Sequence, residues 1–370
     1  MLFSVKLNKE KRNILLVVFF GLLAILIVML LFIGKTSHSK KKIGFIMTGS
    51  IGEEGWNGMH YQGVSEACKD LNVDLLEKEN VKEFEGQCGP AVEDLVKQGC
   101  EMIILSSYGY PEEVSDLIKK YPDVAFYANT FNYHADNVTS YFARMYQARY
   151  LAGIVAGMQT KTNQIGYVAA MPNSEVNRGI NAFTLGVRHV NPEASVIIAW
   201  SNSWDDEEAE RLQADQLIEN TGVDVITYHQ NQPYVAEEAE KAGICSIGYH
   251  QRLNNASDKH LTAVLCDWKL TYEAIIRQYL KGNSSDIKMY WVGIDENAVK
   301  LDDFSPDVSE KTREKVTESI NKLMSGQDVF SGVIYDTDRN LRCKRNQTIS
   351  DELLLEHFDW YVEGVEFYDK

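Results

Sequence analysis

Aromatic, hydrogen-bonding and ionisable side chains gather just after several apolar runs of this chain. Trp56 and Asn57 follow a glycine-rich turn after the first run, and Tyr108 and Trp204 follow later ones. A parallel sheet binds ligands beyond the carboxyl ends of its strands, so these side chains are candidate ligand contacts. Aromatic rings stack on flat molecules, and an amide forms directed hydrogen bonds at their edges. The pattern predicts binding of a flat, partly polar small molecule.

A second set of side chains falls at three successive predicted strand ends: His229, Tyr249, His250, Asp267 and Trp268. His229 and His250 would lie on neighbouring strands, but no acidic third ligand is evident, so we expect no metal. Nothing resembles G-x-S-x-G or H-E-x-x-H, and the glycine-rich turn lacks the spacing of a phosphate loop. We therefore predict a binding protein without catalytic residues or cofactor, and not an enzyme.

The elements that would position these residues are short apolar runs alternating with helical stretches from Lys41 onwards. Such alternation predicts βαβ units, and uninterrupted apolar runs predict strands buried on both faces of a parallel sheet. A long helix after Arg144 interrupts the alternation, which then starts again. We expect an α/β protein with two lobes, each a doubly wound parallel sheet, facing each other across a cleft. Asp205 precedes a helix and is expected to be its N-cap.

The N-terminal segment Ile14–Ile33 contains no charged or strongly polar side chain. About 20 apolar residues suffice to cross a hydrocarbon core of roughly 30 Å. The run is longer than the apolar core of a secretory signal, and no small-residue cleavage pattern follows it. We expect an uncleaved single-pass anchor. Four basic residues flank it on each side, so their count does not decide its orientation.

Charge and cysteine content exclude several classes of function. The formal net charge is −16, and such a surface repels nucleic acid and anionic lipid headgroups. The six cysteines include no C-x-x-C pair, which argues against zinc and thioredoxin-type chemistry. Scattered thiols in a large domain are more typical of small buried side chains than of disulfides, although the sequence leaves their pairing open.

At these residues the chain resembles the basic membrane protein family, purine- or nucleoside-binding lipoproteins of ABC importers with the type I periplasmic-binding fold. The similarity runs from about Lys42 to Gly364 and includes GSIGEEGWN, YFARMYQARYLAGIVAG, PNSEVNRGINAFTLG, SNSWDDEEAE, DVITYHQNQP and IGYHQRL. The resemblance implies a two-lobed receptor outside the cytoplasmic membrane. It also settles the orientation that the flanking charges leave open.

The resemblance also implies individual ligand contacts. Trp56 and Asn57 match an aromatic residue and an Asn in the family's first loop, and Trp204 matches an aromatic residue before an Asp. The segment PNSEVNRG resembles a subgroup and brings in Glu175 and Arg178. Arg144, within YFARMYQ, completes the predicted set.

The chain departs from the family's nucleoside binders at two positions. Where they carry an Asp, this chain has His250, and a Lys common near Cys266 is missing. Those two residues are expected to hold polar parts of a nucleoside, so the ligand is a free base, a nucleoside or another flat molecule. The lipid-bearing Cys is also absent, and the apolar anchor takes its place.

These observations predict a membrane-anchored, monomeric receptor that delivers a purine-like ligand to the permease subunits of an ABC importer. The alternative is a sensory module that signals to a partner protein without transport. The expected organisation is residues 1–40 as a cytoplasmic stub, transmembrane anchor and linker; 41–144 with about 265–300 as the first lobe; 145–264 with about 301–345 as the second lobe; and 346–370 as a C-terminal tail that packs as a lid or an edge.

Overall fold

The computed structural model describes residues 18–23, 40–53, 55–282 and 288–368. The chain divides into two compact units, Met1–Lys41 and Lys42–Lys370. In the first unit, residues 18–23 form exposed helix. Among the described residues, no helix combines the length and apolarity needed to span a bilayer. Most of the predicted anchor, Ile14–Ile33, lies outside the described residues.

The second unit begins with a six-stranded sheet, which defines the first lobe. All of its strand pairs are parallel, and the spatial order is β11-β5-β4-β3-β1-β2. Its strands are β1 (Lys42–Ile46), β2 (Asp74–Lys78), β3 (Met102–Leu105), β4 (Ala125–Ala128), β5 (Val138–Ala143) and β11 (Met289–Val292). Strands such as β3 are buried at every position, as expected for a parallel sheet covered on both faces.

A seven-stranded sheet defines the second lobe, in the order β12-β10-β9-β8-β6-β7-β15. Its pairs are parallel except that of β10 with β12, which is antiparallel. The strands are β6 (Gln164–Ala169), β7 (Ser195–Trp200), β8 (Val225–His229), β9 (Cys245–Tyr249), β10 (His260–Cys266), β12 (Val299–Leu301) and β15 (Val365–Phe367). The prediction of two parallel sheets in two lobes is confirmed.

Helices cover both sheets and begin near the carboxyl ends of the strands. They are α1 (Trp56–Asp70), α2 (Cys88–Lys97), α3 (Tyr110–Glu113), α4 (Ser115–Lys120), α5 (Met145–Gln159), α6 (Ser174–Val190), α7 (Glu207–Thr221), α8 (Tyr234–Ala242), α9 (Trp268–Leu280), α10 (Glu310–Met324) and α11 (Asp351–Glu356). Helices α5 and α6 approach closely because Gly153 and Gly186 face the partner's backbone, where a Cβ atom would overlap a carbonyl oxygen. The N-cap of α7 is Asp206, whose carboxylate accepts from Ala209 N, so the prediction of Asp205 as N-cap was wrong by one residue.

The chain crosses between the lobes at three places that lie side by side. Arg144 joins β5 to α5, Asp267 joins β10 to α9, and residues 293–298 join β11 to β12. Backbone hydrogen bonds of 2.7 Å link Arg144 N to Val292 O and Asp267 N to Ala298 O. Three adjacent connections of this kind form a hinge.

The C-terminal part returns to the second lobe. A short antiparallel pair, β13 (Ile334–Tyr335) and β14 (Leu341–Cys343), precedes α11. The chain then runs along α6 and ends in β15, which adds an edge strand beside β7. The expectation that the tail packs as an edge is therefore confirmed for β15.

Candidate functional site

A cavity with a volume of about 850 Å³ lies between the two lobes. Its lining comes from the loops that follow the carboxyl ends of eight strands and from one C-terminal segment. The lining residues are Thr48, Gly49, Glu53, Trp56, Asn57, Lys82, Glu83, Glu85, Ser107, Tyr108, Asn129, Phe131, Met171, Pro172, Asn173, Ser174, Glu175, Asn177, Trp204, Asp205, Asn231, Tyr249, His250, Glu356, His357, Phe358 and Asp359. This is where open α/β sheets bind ligands.

The first-lobe wall is organised around Glu53. Its carboxylate accepts from Ser50 N at 2.8 Å and from Asn57 Nδ2 at 2.8 Å. The side-chain oxygen of Asn57 accepts from Thr48 Oγ1 at 3.1 Å. Trp56 is half-buried, and its indole N–H donates to Ser106 O at 3.3 Å. These bonds fix the aromatic ring and the amide before any ligand enters, which lowers the entropic cost of binding.

Across the cavity, the second lobe contributes Trp204 and the pair Tyr249–His250. The backbone oxygen of Trp204 accepts from Asn231 N at 3.0 Å, which ties together the loops after β7 and β8. The rings of Tyr249 and His250 lie 3.7 Å apart between centroids, and His250 lies 5.4 Å from the ring of Trp56. Aromatic groups of both lobes therefore meet at the cavity.

Two polar groups at the cavity make no hydrogen bond within the described residues. His250 is 3 % exposed and its Nδ1 is unpartnered, while its backbone holds a left-handed φ of 67°. Glu175 has 20 % of its side chain exposed, and its nearest ionic contact is His229 Nε2 at 3.9 Å. Buried polar groups are normally hydrogen-bonded, and strained backbone is concentrated at binding sites. Both groups are therefore available to a ligand.

Burial sets the protonation of these groups. Burial, followed by the charge of Arg149, lowers the pKa of His250 to about 3, so the ring is neutral at pH 7. The pKa of His229 lies well below its usual value for the same two reasons. Burial raises the pKa of Glu175, and the charge of Arg178 opposes that rise. At the cavity, His250 thus presents a neutral imidazole and Glu175 a carboxyl group whose charge is disfavoured by burial, while His229 lies behind them.

The structure brings together seven of the twelve residues predicted from sequence at the cavity: Trp56, Asn57, Tyr108, Glu175, Trp204, Tyr249 and His250. The other five lie outside its lining: Arg144, Arg178, His229, Asp267 and Trp268.

The two arginines outside the lining contact the C-terminal segment. Arg144 lies at the hinge, where its guanidinium stacks 3.9 Å from the ring centroid of Trp291 and forms two hydrogen bonds to Asp351 at 3.0 and 2.7 Å. Arg178 is 2 % exposed and donates to Leu354 O at 2.5 Å. Both side chains hold backbone or carboxylate groups of the protein itself.

The remaining three lie in the interior or at a helix start. His229 is buried behind the cavity, 3.3 Å from Tyr167 Oη. Asp267 and Trp268 were expected at a strand end, but β10 ends at Cys266, and Asp267 caps α9 by accepting from Leu270 N. Trp268 begins that helix and stacks 3.8 Å from the ring of His60. Because β10 ends two residues earlier than expected, Asp267 and Trp268 lie at the start of α9 and not in the cleft.

Sequence reasoning missed three parts of the lining. Asn129 and Phe131 follow β4, so the strand-end rule that found Tyr108 applied to them as well. The loop after β2 contributes Lys82 and two glutamates, which resemble any solvated charged turn in sequence. Residues 356–359 come from the far end of the chain, and no local pattern indicates that they reach the cleft.

Comparison with known proteins places the chain among transport receptors. The sequence profile of the Bmp family, described as PnrA-like ABC transporter substrate-binding proteins, matches residues 40–329. A purine-binding protein of Brucella abortus is 33% identical over 342 residues, covering 90% of this chain and 96% of that protein. A Haloferax volcanii ABC transporter protein, TsgA13, named for glucose binding, is 31% identical over 336 residues, covering 90% of this chain and 82% of that protein. The crystal structure of a Bacillus halodurans transcriptional activator of the comK gene shares the fold, with a TM-score of 0.67, 23% identity, and coverage of 77% of this chain and 98% of that one.

Proposed function

Since the chain belongs to the Bmp family of PnrA-like ABC transporter substrate-binding proteins, we propose that its cleft binds a purine base or nucleoside for import. The observation that carries the proposal is the cavity with Trp56 on one lobe and Trp204 on the other. A planar ring stacked between them would link ligand binding to closure of the lobes. Stacking a base on an aromatic side chain contributes about 1–3 kcal/mol.

Polar groups around the rings supply the directed contacts that a purine edge needs. In this proposal Asn57 and Asn129 form hydrogen bonds with ring nitrogens of the purine, while Glu175 accepts a hydrogen bond from a ring or exocyclic N–H. His250 offers a neutral imidazole with a free nitrogen. Tyr108 and Tyr249 complete the apolar walls. Hydrogen bonds and apolar contacts of this kind fix orientation in an otherwise aromatic pocket.

A hexose is the second candidate ligand, because the Haloferax volcanii relative is named for glucose binding. Aromatic rings also pack on sugar faces. A hexose and a purine present different hydrogen-bonding groups, so binding measurements with both kinds of ligand distinguish the two candidates.

We propose that the second unit is extracytoplasmic, held by the apolar segment Ile14–Ile33, and delivers ligand as a monomer to ABC permease subunits. Residues 41–144 with about 265–300, and 145–264 with about 301–345, remain the proposed bounds of the lobes.

Signalling without transport is the alternative, and it has a parallel in the fold shared with a transcriptional activator.

Native mass spectrometry of the freshly purified full chain in detergent, followed by calorimetry with adenine, guanine, adenosine, inosine and glucose, tests the ligand class. We expect a co-purified purine or micromolar or tighter binding of at least one purine. Binding of glucose with no response to any purine contradicts the proposal.

A further inference from the structure

The last part of the cavity wall comes from residues 351–361, which we call the C-terminal wall. Four of its residues line the cavity: Glu356, His357, Phe358 and Asp359. The family profile ends at residue 329, so this wall lies beyond the matched region. Whatever ligand fills the cleft therefore meets side chains that the family match does not cover.

The C-terminal wall is fixed to the second lobe along α6. Asn177 Nδ2 donates to Phe358 O at 2.9 Å, and Asn181 Nδ2 donates to Trp360 O at 2.7 Å. Tyr361 Oη donates back to Asn177 Oδ1 at 2.8 Å. These bonds are buried or nearly so and involve mainly the wall's backbone. The wall is thus a fixed part of the second lobe, held by these bonds and by the buried ring of Phe358, which packs on Phe330 and Trp360.

The wall is also anchored at the hinge. Arg144 forms its paired hydrogen bonds with Asp351, the first residue of α11. The same guanidinium donates from Nε to Trp291 O at 3.1 Å, on the last strand of the first lobe. Bidentate arginine–carboxylate pairs combine strength with geometric specificity. The start of the wall is therefore anchored at the hinge residue Arg144.

The cavity-facing side of the wall carries acidic groups opposite other acidic groups. Glu356 and Asp359 line the cavity from the wall, and Glu83 and Glu85 line it from the first lobe. Lys82 is the one Lys or Arg among the described lining residues. Burial and then the charges of Glu175 and Glu356 raise the pKa of Tyr108 to about 12, in accord with Glu356 facing the first lobe.

We call Glu83, Glu85, Glu356 and Asp359 the acidic rim of the cavity. A buried polar atom that has no hydrogen-bond partner among the described residues lies in the same cavity. The Nδ1 atom of His250, in the same cavity, makes no hydrogen bond within the described residues. A ligand that satisfies this imidazole and stacks on the tryptophans occupies the same cavity as these acidic residues. Like charges placed together at a binding site select against the wrong ligand.

We propose that the C-terminal wall selects the outward-facing substituent of the ligand, accepting neutral or cationic hydrogen-bond donors and repelling anionic groups such as phosphate. The proposal rests on the proposed purine-binding function. It assigns specificity to Glu356 and Asp359, which lie beyond the residues that the family profile matches. A nucleoside or an amine-bearing purine fits this rim, and a nucleotide does not.

Calorimetry of the full chain with adenine, adenosine, 5′-amino-5′-deoxyadenosine and AMP tests the proposal. We expect the wild type to bind the amine at least as tightly as adenosine, and AMP more weakly by about tenfold or more. In the double variant Glu356→Gln/Asp359→Asn, the ratio of adenosine affinity to AMP affinity should fall about tenfold. Added salt should narrow the wild-type ratio, since the repulsion is screened.

Glu352→Gln is the matched control, because Glu352 is exposed on α11 and does not line the cavity. It should leave the adenosine-to-AMP ratio at the wild-type value. Wild-type binding of AMP as tight as adenosine, or an unchanged ratio in the double variant, overturns the role of the wall. Binding of adenine without any of the three larger ligands also overturns it, whereas no response to any of the four defeats the proposed function itself.

Discussion

At the scale of single residues, the site depends on which polar groups the protein satisfies by itself. The amide of Asn57 is bound by Glu53 and Thr48, so its orientation is fixed in advance. Glu175 and His250 differ, because neither the carboxyl group nor Nδ1 finds a hydrogen-bond partner in the described residues. Asn57 is preorganised and shapes the pocket. A ligand that forms hydrogen bonds with Glu175 and His250 gains binding free energy, because it satisfies groups that the described part of the protein leaves without a partner.

Glu175→Gln should separate binding from folding. Burial raises the pKa of Glu175, so the folded protein disfavours its charge, and a neutral amide should leave stability unchanged or slightly higher. A hydrogen bond from a ligand N–H to a charged acceptor contributes about 1.5–3 kcal/mol, so purine affinity should fall about tenfold or more. Calorimetry and urea unfolding measure the two effects.

The control for this prediction is Glu219→Gln, an exposed acidic residue near the end of α7. It should change neither affinity nor stability appreciably. Wild-type affinity in Glu175→Gln would show that this carboxyl group does not contact the ligand.

At the scale of elements, the sequence indicates those strands that are long, apolar and bounded by helices. Runs such as IGFI and MIIL are continuous and apolar, and they form β1 and β3 as the alternation of apolar runs and helices predicts. β5 and β11 were missed, because their sequences VTSYFA and MYWV mix aromatic and polar residues without a clear period. The start of α9 is not evident from the sequence, because Asp267 and Trp268 directly follow an apolar run and resemble a strand end.

The site was predictable wherever a strand end decides it. Trp56, Tyr108 and Trp204 follow such ends in the sequence and line the cavity. The positions of Arg144 and Arg178 depend on the C-terminal segment, which is about 170–210 residues distant in sequence. Local patterns carry no information on such contacts, because only packing of the complete chain brings them together.

A glycine controls how closely the two lobes approach each other. Gly55, the N-cap of α1, has a φ of 90°, and a Cβ atom there would overlap the carbonyl oxygen of Asn231 in the second lobe. Its N–H donates to Gln251 Oε1 of the same lobe at 3.2 Å. Gly55→Ala should therefore obstruct closure and weaken purine binding about 10- to 100-fold, by an effect of about 1–3 kcal/mol.

Small-angle scattering with and without ligand tests this prediction together with calorimetry. Ligand should compact the wild type and fail to compact Gly55→Ala. Gly52→Ala is the control. The nearest heavy atom to a Cβ at that position is 3.9 Å away, and the φ of Gly52 lies outside the left-handed region. Equal compaction of Gly55→Ala and the wild type would exclude this contact as a determinant of closure.

At the scale of the whole molecule, a group of buried imidazoles makes stability depend on pH. The pKa values of His60 and His229 lie well below 6.5, and that of His250 lies at about 3, with burial as the main cause in each. Below pH 6.5 the unfolded chain binds protons that the folded protein does not. Stability is therefore present above pH 6.5 and is lost as the pH falls, by about 1.4 kcal/mol per pH unit for each histidine.

Glu210 acts in the opposite direction, since burial raises its pKa to about 8 and the folded protein keeps this proton between pH 4.5 and 8. Burial also raises the pKa of Glu175 and lowers that of His260 to about 4. The four buried histidines outweigh Glu210 and Glu175, so the free energy of unfolding should fall between pH 6.5 and 5. Urea titrations at a series of pH values measure the slope. His250→Asn retains a residue suited to a left-handed φ and should reduce the slope by about one proton. A slope identical to that of the wild type would contradict the assignment of His250 as a neutral buried imidazole.

The molecule as a whole is a hinged pair of sheets whose strand ends meet at one cavity. Its three crossings at 144, 267 and 293–298 let the lobes move relative to each other, while the C-terminal wall moves with the second lobe. Binding and closure are therefore expected to be one event, driven by a ligand that contacts both lobes.

Calorimetric titration of a purine into Trp56→Ala and Trp204→Ala tests this central claim most directly. Each variant should lose about 10- to 100-fold in affinity, since stacking on one ring contributes about 1–3 kcal/mol, while circular dichroism shows a folded protein. Phe84→Ala is the control, because that ring is 66% exposed and does not line the cavity. Wild-type affinity in both tryptophan variants would contradict a ligand held between the two lobes by aromatic rings.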